Sequence, residues 1–250
     1  MLSKAQIKYI QSLQHKKYRQ KSGQFIAEGE KVVQELLQTG LSVKAVYATE
    51  RWLQEQSVLL AGKPAVEVVA IDEATLKQLS ALSTPNRALA LLDIPAEGST
   101  KDIANSVTLA LETIQDPGNM GTLIRIADWF GISQVVCSPD CVDVYNPKTI
   151  QATMGSIARV RIITLPLLPW LHTCGVPAYA ATLHGQDLTG FSTLKEGIIL
   201  IGNESRGLSQ EVIAASRYRV TIPRIGGAES LNAAVAAGII CSHLTLPAAK

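Results

Sequence analysis

Three stretches in the second half of the chain gather Asn, Arg, Glu, Ser and Gly where strongly apolar runs stop. The first, residues 115–127, reads Gln-Asp-Pro-Gly-Asn-Met-Gly-Thr-Leu-Ile-Arg-Ile-Ala. A strand ends, Pro-Gly turns the chain, and the pattern predicts a helix from near Gly121, with Asn119 in the turn and Arg125 one turn into the helix. A helix N-terminus has unsatisfied backbone N–H groups, so with Asn119 and Arg125 it could hold an anionic or hydroxylated ligand. A capping Asn and a surface Arg would account for the same residues.

The second stretch, 200–208, runs from an apolar strand into Gly202-Asn203-Glu204-Ser205-Arg206-Gly207. Glycines there let a backbone approach a ligand closely. The alternative is an ordinary strand-to-helix loop. The third, 222–237, leaves a strand at Ile222-Pro223, passes Arg224 and a Gly-rich loop, and enters an Ala-rich helix through Ser230-Leu231-Asn232. Here the plainer reading is helix capping by Ser230, with Asn232 exposed. Neither Gly-Lys-Ser/Thr nor a strand leading into Gly-x-Gly-x-x-Gly occurs, which disfavours a phosphate-cradling loop and a dinucleotide site.

Strand ends are where open α/β sheets bind ligands, and the second half has the elements to make such a sheet. Apolar strands are expected at 107–114, 134–137, 160–164, 178–182, 198–201 and 219–222, with helices near 121–130, 147–157, 208–215 and 230–244. This alternation predicts an α/β fold with a parallel sheet and helices on both faces. The first half reads as a smaller α/β unit. Helices are expected at 4–14, 28–39, 51–59 and 71–82, the last capped by Asp72, and strands at 25–27, 43–48, 66–71 and 88–94; residues 16–23 read as a loop. A Pro-, Gly- and Ser-rich break at 95–102 separates the halves, giving domains at 1–95 and 106–250 with a linker at 96–105.

Apolar residues form 47% of the 250-residue chain and charged residues 18%, so a sizeable core is available. A net charge of +2 does not by itself announce a nucleic-acid partner. Its distribution is more telling, because Lys4, Lys8, Lys16, Lys17, Arg19 and Lys21 all precede the first acid, Glu28. Such a run suits either a phosphate-binding arm or a solvated helix face. The four cysteines, Cys137, Cys141, Cys174 and Cys241, have no His pair at ligand spacing. They read as reduced core thiols of a cytoplasmic protein, with no metal site expected. No apolar run reaches transmembrane length and no signal-peptide core opens the chain, so no membrane association is expected.

Taken in order and spacing, the three stretches resemble the signature motifs of the SpoU (TrmH-type) RNA ribose 2′-O-methyltransferases of the SPOUT superfamily, over about 105–246. More loosely, Phe25-Ile26-Ala27-Glu28-Gly29 and the helix after it resemble that family's L30e-like substrate-binding domain. The resemblance implies a C-terminal trefoil knot, a homodimer whose active site is completed across the interface, and S-adenosylmethionine as methyl donor. It implies that Asn119, Arg125, Glu204, Ser230 and Asn232 place substrate and cofactor around the reaction, and that Thr182, Gly202, Asn203, Ile222 and Leu231 hold the cofactor. Guanidinium keeps its proton at any working pH, so Arg125 is expected to bind a neighbouring phosphate or the developing alkoxide rather than act as a base. Arg224 stands where the family commonly has an apolar residue, and Gly118 at a turn position that varies within it.

The extra N-terminal domain favours rRNA as substrate. Methylation of a tRNA ribose, and a non-catalytic RNA-binding protein of the same fold, are the competing readings. Lys16, Lys17 and Arg19, with Tyr18, are the residues expected to form part of the RNA-binding surface.

Overall fold

The computed structural model describes residues 2–82, 86–96 and 103–246. The chain forms two compact units, Met1–Ala96 with Asp143–Ala158, and Glu97–Val142 with Arg159–Lys250.

The first unit opens with α1 (Lys4–Ser12), α2 (Lys16–Ser22), β1 (Gln24–Glu28), α3 (Glu30–Leu37) and β2 (Val43–Ala48). It continues through α4 (Glu50–Glu55), α5 (Ser57–Ala61), β3 (Glu67–Ala70), α6 (Glu73–Leu79) and β4 (Ala88–Asp93). The four strands lie in the order β1-β4-β2-β3; β4 is antiparallel to both of its neighbours and β2 is parallel to β3. One face of this sheet, with Ile26, Tyr47 and Leu89, packs on Ile10 and Leu13 from α1 and its C-terminal turn and on Leu76 and Leu79 of α6. Both helices begin where their sequences signal it. Ser3 and Gln6 form a capping box, and Asp72 accepts a hydrogen bond from the Thr75 N–H at 2.8 Å. The helix expected at 51–59 is split at Gln56 into α4 and α5.

The second unit begins with β5 (Val107–Leu111), α7 (Pro117–Trp129) and β6 (Gln134–Cys137). After α8 (Pro147–Thr153) come β7 (Arg161–Thr164), α9 (Leu167–Thr173), β8 (Ala178–Asp187), β9 (Gly197–Ile201), α10 (Gln210–Ala215), β10 (Tyr218–Thr221) and α11 (Ala233–Thr245). All six strands pair in parallel, in the order β10-β8-β9-β5-β6-β7. One face buries Ala110, Val136, Ile163, Ala180 and Leu200 under Trp170 and Leu171 of α9 and Val212 of α10. The alternate strand residues, Leu109, Leu111, Val135, Ile199 and Ile201, are also buried, and α7 and α11 pack on that side. The parallel sheet with helices on both faces is thus the one expected from the strand–helix alternation. Helix α9 was not expected; Pro166 and Pro169 mask it, yet both fall at its N-terminal end, where a missing N–H costs nothing.

Residues 143–158, which precede β7 in the chain, pack within the first unit. Tyr145 meets Phe25 with ring centroids 5.0 Å apart, and α8 lies along β1. Asp143 explains a correction near the N-terminus. Residues 16–23, expected to be a loop, are the helix α2, closed by Gly23 in the left-handed conformation at φ 66°. Arg19 points inward from it and is only 2% exposed. It donates to the Leu13 carbonyl at 2.8 Å and from Nε to Asp143 Oδ2 at 3.0 Å. Arg19 is therefore not part of a surface with Lys16 and Lys17, which are exposed; its guanidinium is consumed by a carboxylate 124 residues away.

Among the described residues no helix is long and apolar enough to cross a membrane. Breaking the buried ion pair should cost about 3–5 kcal/mol in Arg19→Met, because Asp143 loses its partner, whereas Lys16→Gln and Lys17→Gln should each change stability by less than ~0.5 kcal/mol. Urea unfolding of the three variants measures this, and a small effect of Arg19→Met would show that the pair is solvent-screened.

Candidate active site

The parallel register gathers the chemically equipped segments along one edge. Leu111 pairs with Ile201, and Ala180 pairs with Leu200, so the residues following β5 and β9 and those near Thr182 in β8 stand at the same level of the sheet. Beyond β8 lies β10, whose end leads into Ile222. The chain runs from β5 to β6 and β7 on one side, then returns to build β8, β9 and β10 on the other. That places a topological switch point beside β5, where the carboxyl ends of strands leave a crevice.

Helix α7 starts earlier than expected. Asp116 caps it by accepting from the Asn119 N–H at 2.7 Å, and Pro117 occupies its first position. Asn119 therefore sits in the first helical turn. The cap of α11 is Asn232 rather than Ser230. Its Oδ1 accepts from the N–H groups of Ala234 at 2.9 Å and Val235 at 3.3 Å. With Oδ1 so occupied, Asn232 Nδ2 donates to Asn119 Oδ1 at 3.0 Å, and Asn119 Nδ2 in turn donates to Glu204 Oε1 at 2.7 Å. About two turns along both helices, Gly238 faces Ile126, so α7 and α11 run side by side in one direction. A half-buried carboxylate thus stands at the shared positive end of two parallel helices, an electrostatically favoured place for it. Among the described residues only Oε1 of Glu204 is hydrogen-bonded within the chain.

The loop that carries Glu204 is fixed from several sides. Asn203 and Gly207 exchange backbone hydrogen bonds at 3.1 and 2.9 Å. A Cβ on Gly202 would lie 2.2 Å from the Gly207 carbonyl carbon, so only glycine permits this turn. The Asn203 side chain anchors the loop. Its Nδ2 donates to the Thr113 carbonyl at 2.9 Å, and its Oδ1 accepts from the N–H groups of Ser205 and Arg206. Glu112 accepts from both the N–H and the hydroxyl of Ser209, each at 2.7 Å, holding the far end of the loop. Thr113 itself is in the left-handed region at φ 56°, with its N–H on Ser138 Oγ at 2.9 Å. Hydrogen bonds from Ser138 and then Thr113 hold the Asp140 carboxyl below its ordinary pKa. Beside it, the neighbouring Cys137 thiol pulls Cys141 down to about 7, while Cys141 pushes Cys137 up.

The remaining candidate residues fall around this frame. Arg125 is exposed on α7, and Ser230 and Leu231 are exposed in the loop before α11. Thr182 lies in β8 within a shift of register against β10, whose Arg219 pairs with Ala180 and Val220 with Gln186. The hydroxyl oxygens of Thr182 and Thr221 are both buried without a hydrogen-bond partner among the described residues. Glu112, Thr113, Ser138, Asp140 and Thr221 escaped the sequence reading. Glu112 and Thr113 look like strand residues, and nothing local marks a threonine for positive φ.

Residues 106–242, more than half of the chain, match the SpoU rRNA Methylase family, and residues 4–90 match the MRM3-like substrate binding domain. The 23S rRNA (guanosine(2553)-2′-O)-methyltransferase RlmP of Bacillus subtilis is 28% identical over 242 residues, which cover 95% of either chain. A TrmH-family protein from Porphyromonas gingivalis superposes with a TM-score of 0.86 at 39% identity, covering 97% of this chain and 98% of that one. The AdoMet-bound rRNA methyltransferase from Sinorhizobium meliloti follows with a TM-score of 0.85 at 27% identity, over 97% of this chain and 95% of the other. With its three motifs joined at the β5–β9 crevice, this chain belongs to the SpoU rRNA methylase family.

Proposed function

We propose that this protein methylates a ribose 2′-hydroxyl of rRNA with S-adenosylmethionine as donor. The observation that carries the reading is the hydrogen-bonded chain Asn232–Asn119–Glu204 at the crevice beside β5, built from one residue of each motif. The substrate class follows from the named relative in Bacillus subtilis and from the substrate-binding match in the first unit.

The residues present fit the cofactor. Thr182 and Thr221 keep buried hydroxyls with no partner among the described residues, each able to donate to and accept from a bound polar group. The backbone at Gly202, Ile222 and Leu231 would hold it alongside them, while Asn203 acts by shaping the loop. S-adenosylmethionine supplies a methyl group already activated on a sulfonium. What the protein adds is alignment of a hydroxyl and removal of its proton. Glu204 Oε2 is available to accept a hydrogen bond from the substrate, and the two amides keep that carboxylate in one orientation. Ser230 lies two residues before Asn232, on the same approach. Arg125, exposed on α7, binds the phosphate next to the reacting ribose or the developing alkoxide. Lys16 and Lys17 bind phosphates from the first unit.

The enzyme works as a homodimer. Trp129 is 80% exposed at the end of α7, and Leu231, Val235 and Ile239 are 46%, 50% and 40% exposed at the start and along one face of α11. Apolar side chains grouped on two adjacent helices suit burial against a second copy. The expected trefoil knot and a cytoplasmic location, where the free thiols stay reduced, belong to the same proposal.

Transfer of a tritiated methyl group to unmodified total RNA, followed by nucleoside analysis, tests the reaction. Label should appear in a 2′-O-methylnucleoside of the rRNA fraction; label in tRNA would shift the substrate, and label on a base would overturn the reading. Arg125→Lys keeps the charge but loses the planar fork, and its kcat should fall at least ~10-fold; full turnover would rule out a fork-like contact. Val235→Glu with Ile239→Glu should convert a dimer to a monomer in sedimentation, and unchanged mass would exclude this face as the interface. Lys16→Gln with Lys17→Gln should weaken RNA binding and reduce its salt slope by about 1 for each phosphate that is no longer neutralised.

A further inference from the structure

Thr113 combines three features that its place in the sequence does not call for. It is β-branched, yet adopts φ 56°, a region such residues rarely enter. Its N–H and hydroxyl are both used: the N–H donates to Ser138 Oγ at 2.9 Å and the hydroxyl to Asp140 Oδ2 at 2.5 Å. Ser138, which is buried, donates its own hydroxyl to Asp140 Oδ1 at 2.5 Å, so one carboxylate ties both groups together. The unusual backbone angle has a consequence for the carbonyl. It leaves the direction of β5 and receives Asn203 Nδ2 at 2.9 Å.

We infer that Thr113, locked by Ser138 and Asp140, is a positioning residue for Glu204, acting through Asn203. This rests on the methyltransfer reading above and names residues for it outside the three motifs. The path is short and continuous. Asp140 and Ser138 hold Thr113, and the Thr113 carbonyl fixes the Asn203 amide. Asn203 Oδ1 holds the N–H groups of Ser205 and Arg206, the residues that directly follow Glu204, and the turn so fixed carries Glu204 to Asn119. Because Gly202 already touches the backbone of Gly207 and Leu208, the loop cannot settle inward to compensate for a missing anchor. The Asp140 carboxyl, held below its ordinary pKa by the same two hydroxyls, stays an acceptor at working pH.

Two measurements on the whole protein test this. In Thr113→Val the β-branch remains and the hydroxyl is removed. Amide exchange at 203–207 should quicken and kcat should fall about 10-fold, with the melting temperature and the dissociation constant for S-adenosylmethionine little changed. Thr113→Ser, which restores the hydroxyl, should bring exchange and rate back, and Asp140→Asn should reproduce the valine variant. Combined with Glu204→Gln, Thr113→Val should lower kcat by less than ~2-fold more, because the group it positions is already altered. Unchanged exchange at 203–207, or a full additional loss in the Glu204→Gln background, would overturn the inference. If the wild-type protein transfers no methyl group but Thr113→Val still quickens exchange, the positioning stands and the assigned reaction fails.

Discussion

A carboxylate half removed from water needs an opposite potential and a donor, and Glu204 finds both at one place. Helices α7 and α11 run side by side with their N-terminal ends together, so their unpaired N–H groups and dipoles act on the same spot. Two amide side chains convert that field into geometry. Asn232 has its oxygen taken by its own helix, which leaves only its nitrogen to offer. Asn119 must then present its oxygen to Asn232 and its nitrogen to Glu204. The orientation of every group is thereby dictated from the helix cap outward. The rest of the second unit is arranged to make this meeting possible.

Strand pairing supplies the coarse placement. Six parallel strands put all carboxyl ends on one edge, and the reversal of strand order beside β5 opens the crevice there. Finer placement comes from the loop after β9, where backbone lies against backbone at Gly202 and both ends are held by residues following β5. Rigidity in such a site reduces the reorganisation needed when a reacting group arrives. The exposed segment from Pro223 to Leu231 has no comparable anchoring among the described residues; its Arg224 bonds the Ala228 carbonyl nearby, and Ile225 is fully exposed. One wall of the crevice is therefore held by more hydrogen bonds within the described residues than the other.

The first unit shows how a charged residue can mislead. Arg19 stands in a run of cations, and that run alone suggests a surface. Its burial follows from Asp143, which arrives with a segment far along the chain and meets it inside the unit. An arginine that loses water must recover its hydrogen bonds, and here a carboxylate and the Leu13 carbonyl provide them. Lys16 and Lys17, one turn away, meet no such carboxylate among the described residues and keep their exposure.

Local rules were enough to read most of the elements from the sequence. The apolar runs marked all six strands of the second unit, and Asp72 was identified as a cap because capping depends on residues three apart. The motif residues Asn119, Glu204 and Asn232 were named through the resemblance of three stretches to the SpoU motifs, whose order and spacing are visible in one dimension. What they do to each other was not. The 85 residues from Asn119 to Glu204 and the 113 from Asn119 to Asn232 are bridged only by the parallel sheet and the packing of α7 on α11. The inward turn of Arg19 and the anchoring of the left-handed Thr113 depend equally on partners distant in sequence. Sequence alone determined which chemistry the chain could carry and where its strands would end. Tertiary structure decided which polar groups lose water together, and burial is what turns a list of Asn, Glu and Thr into an ordered site.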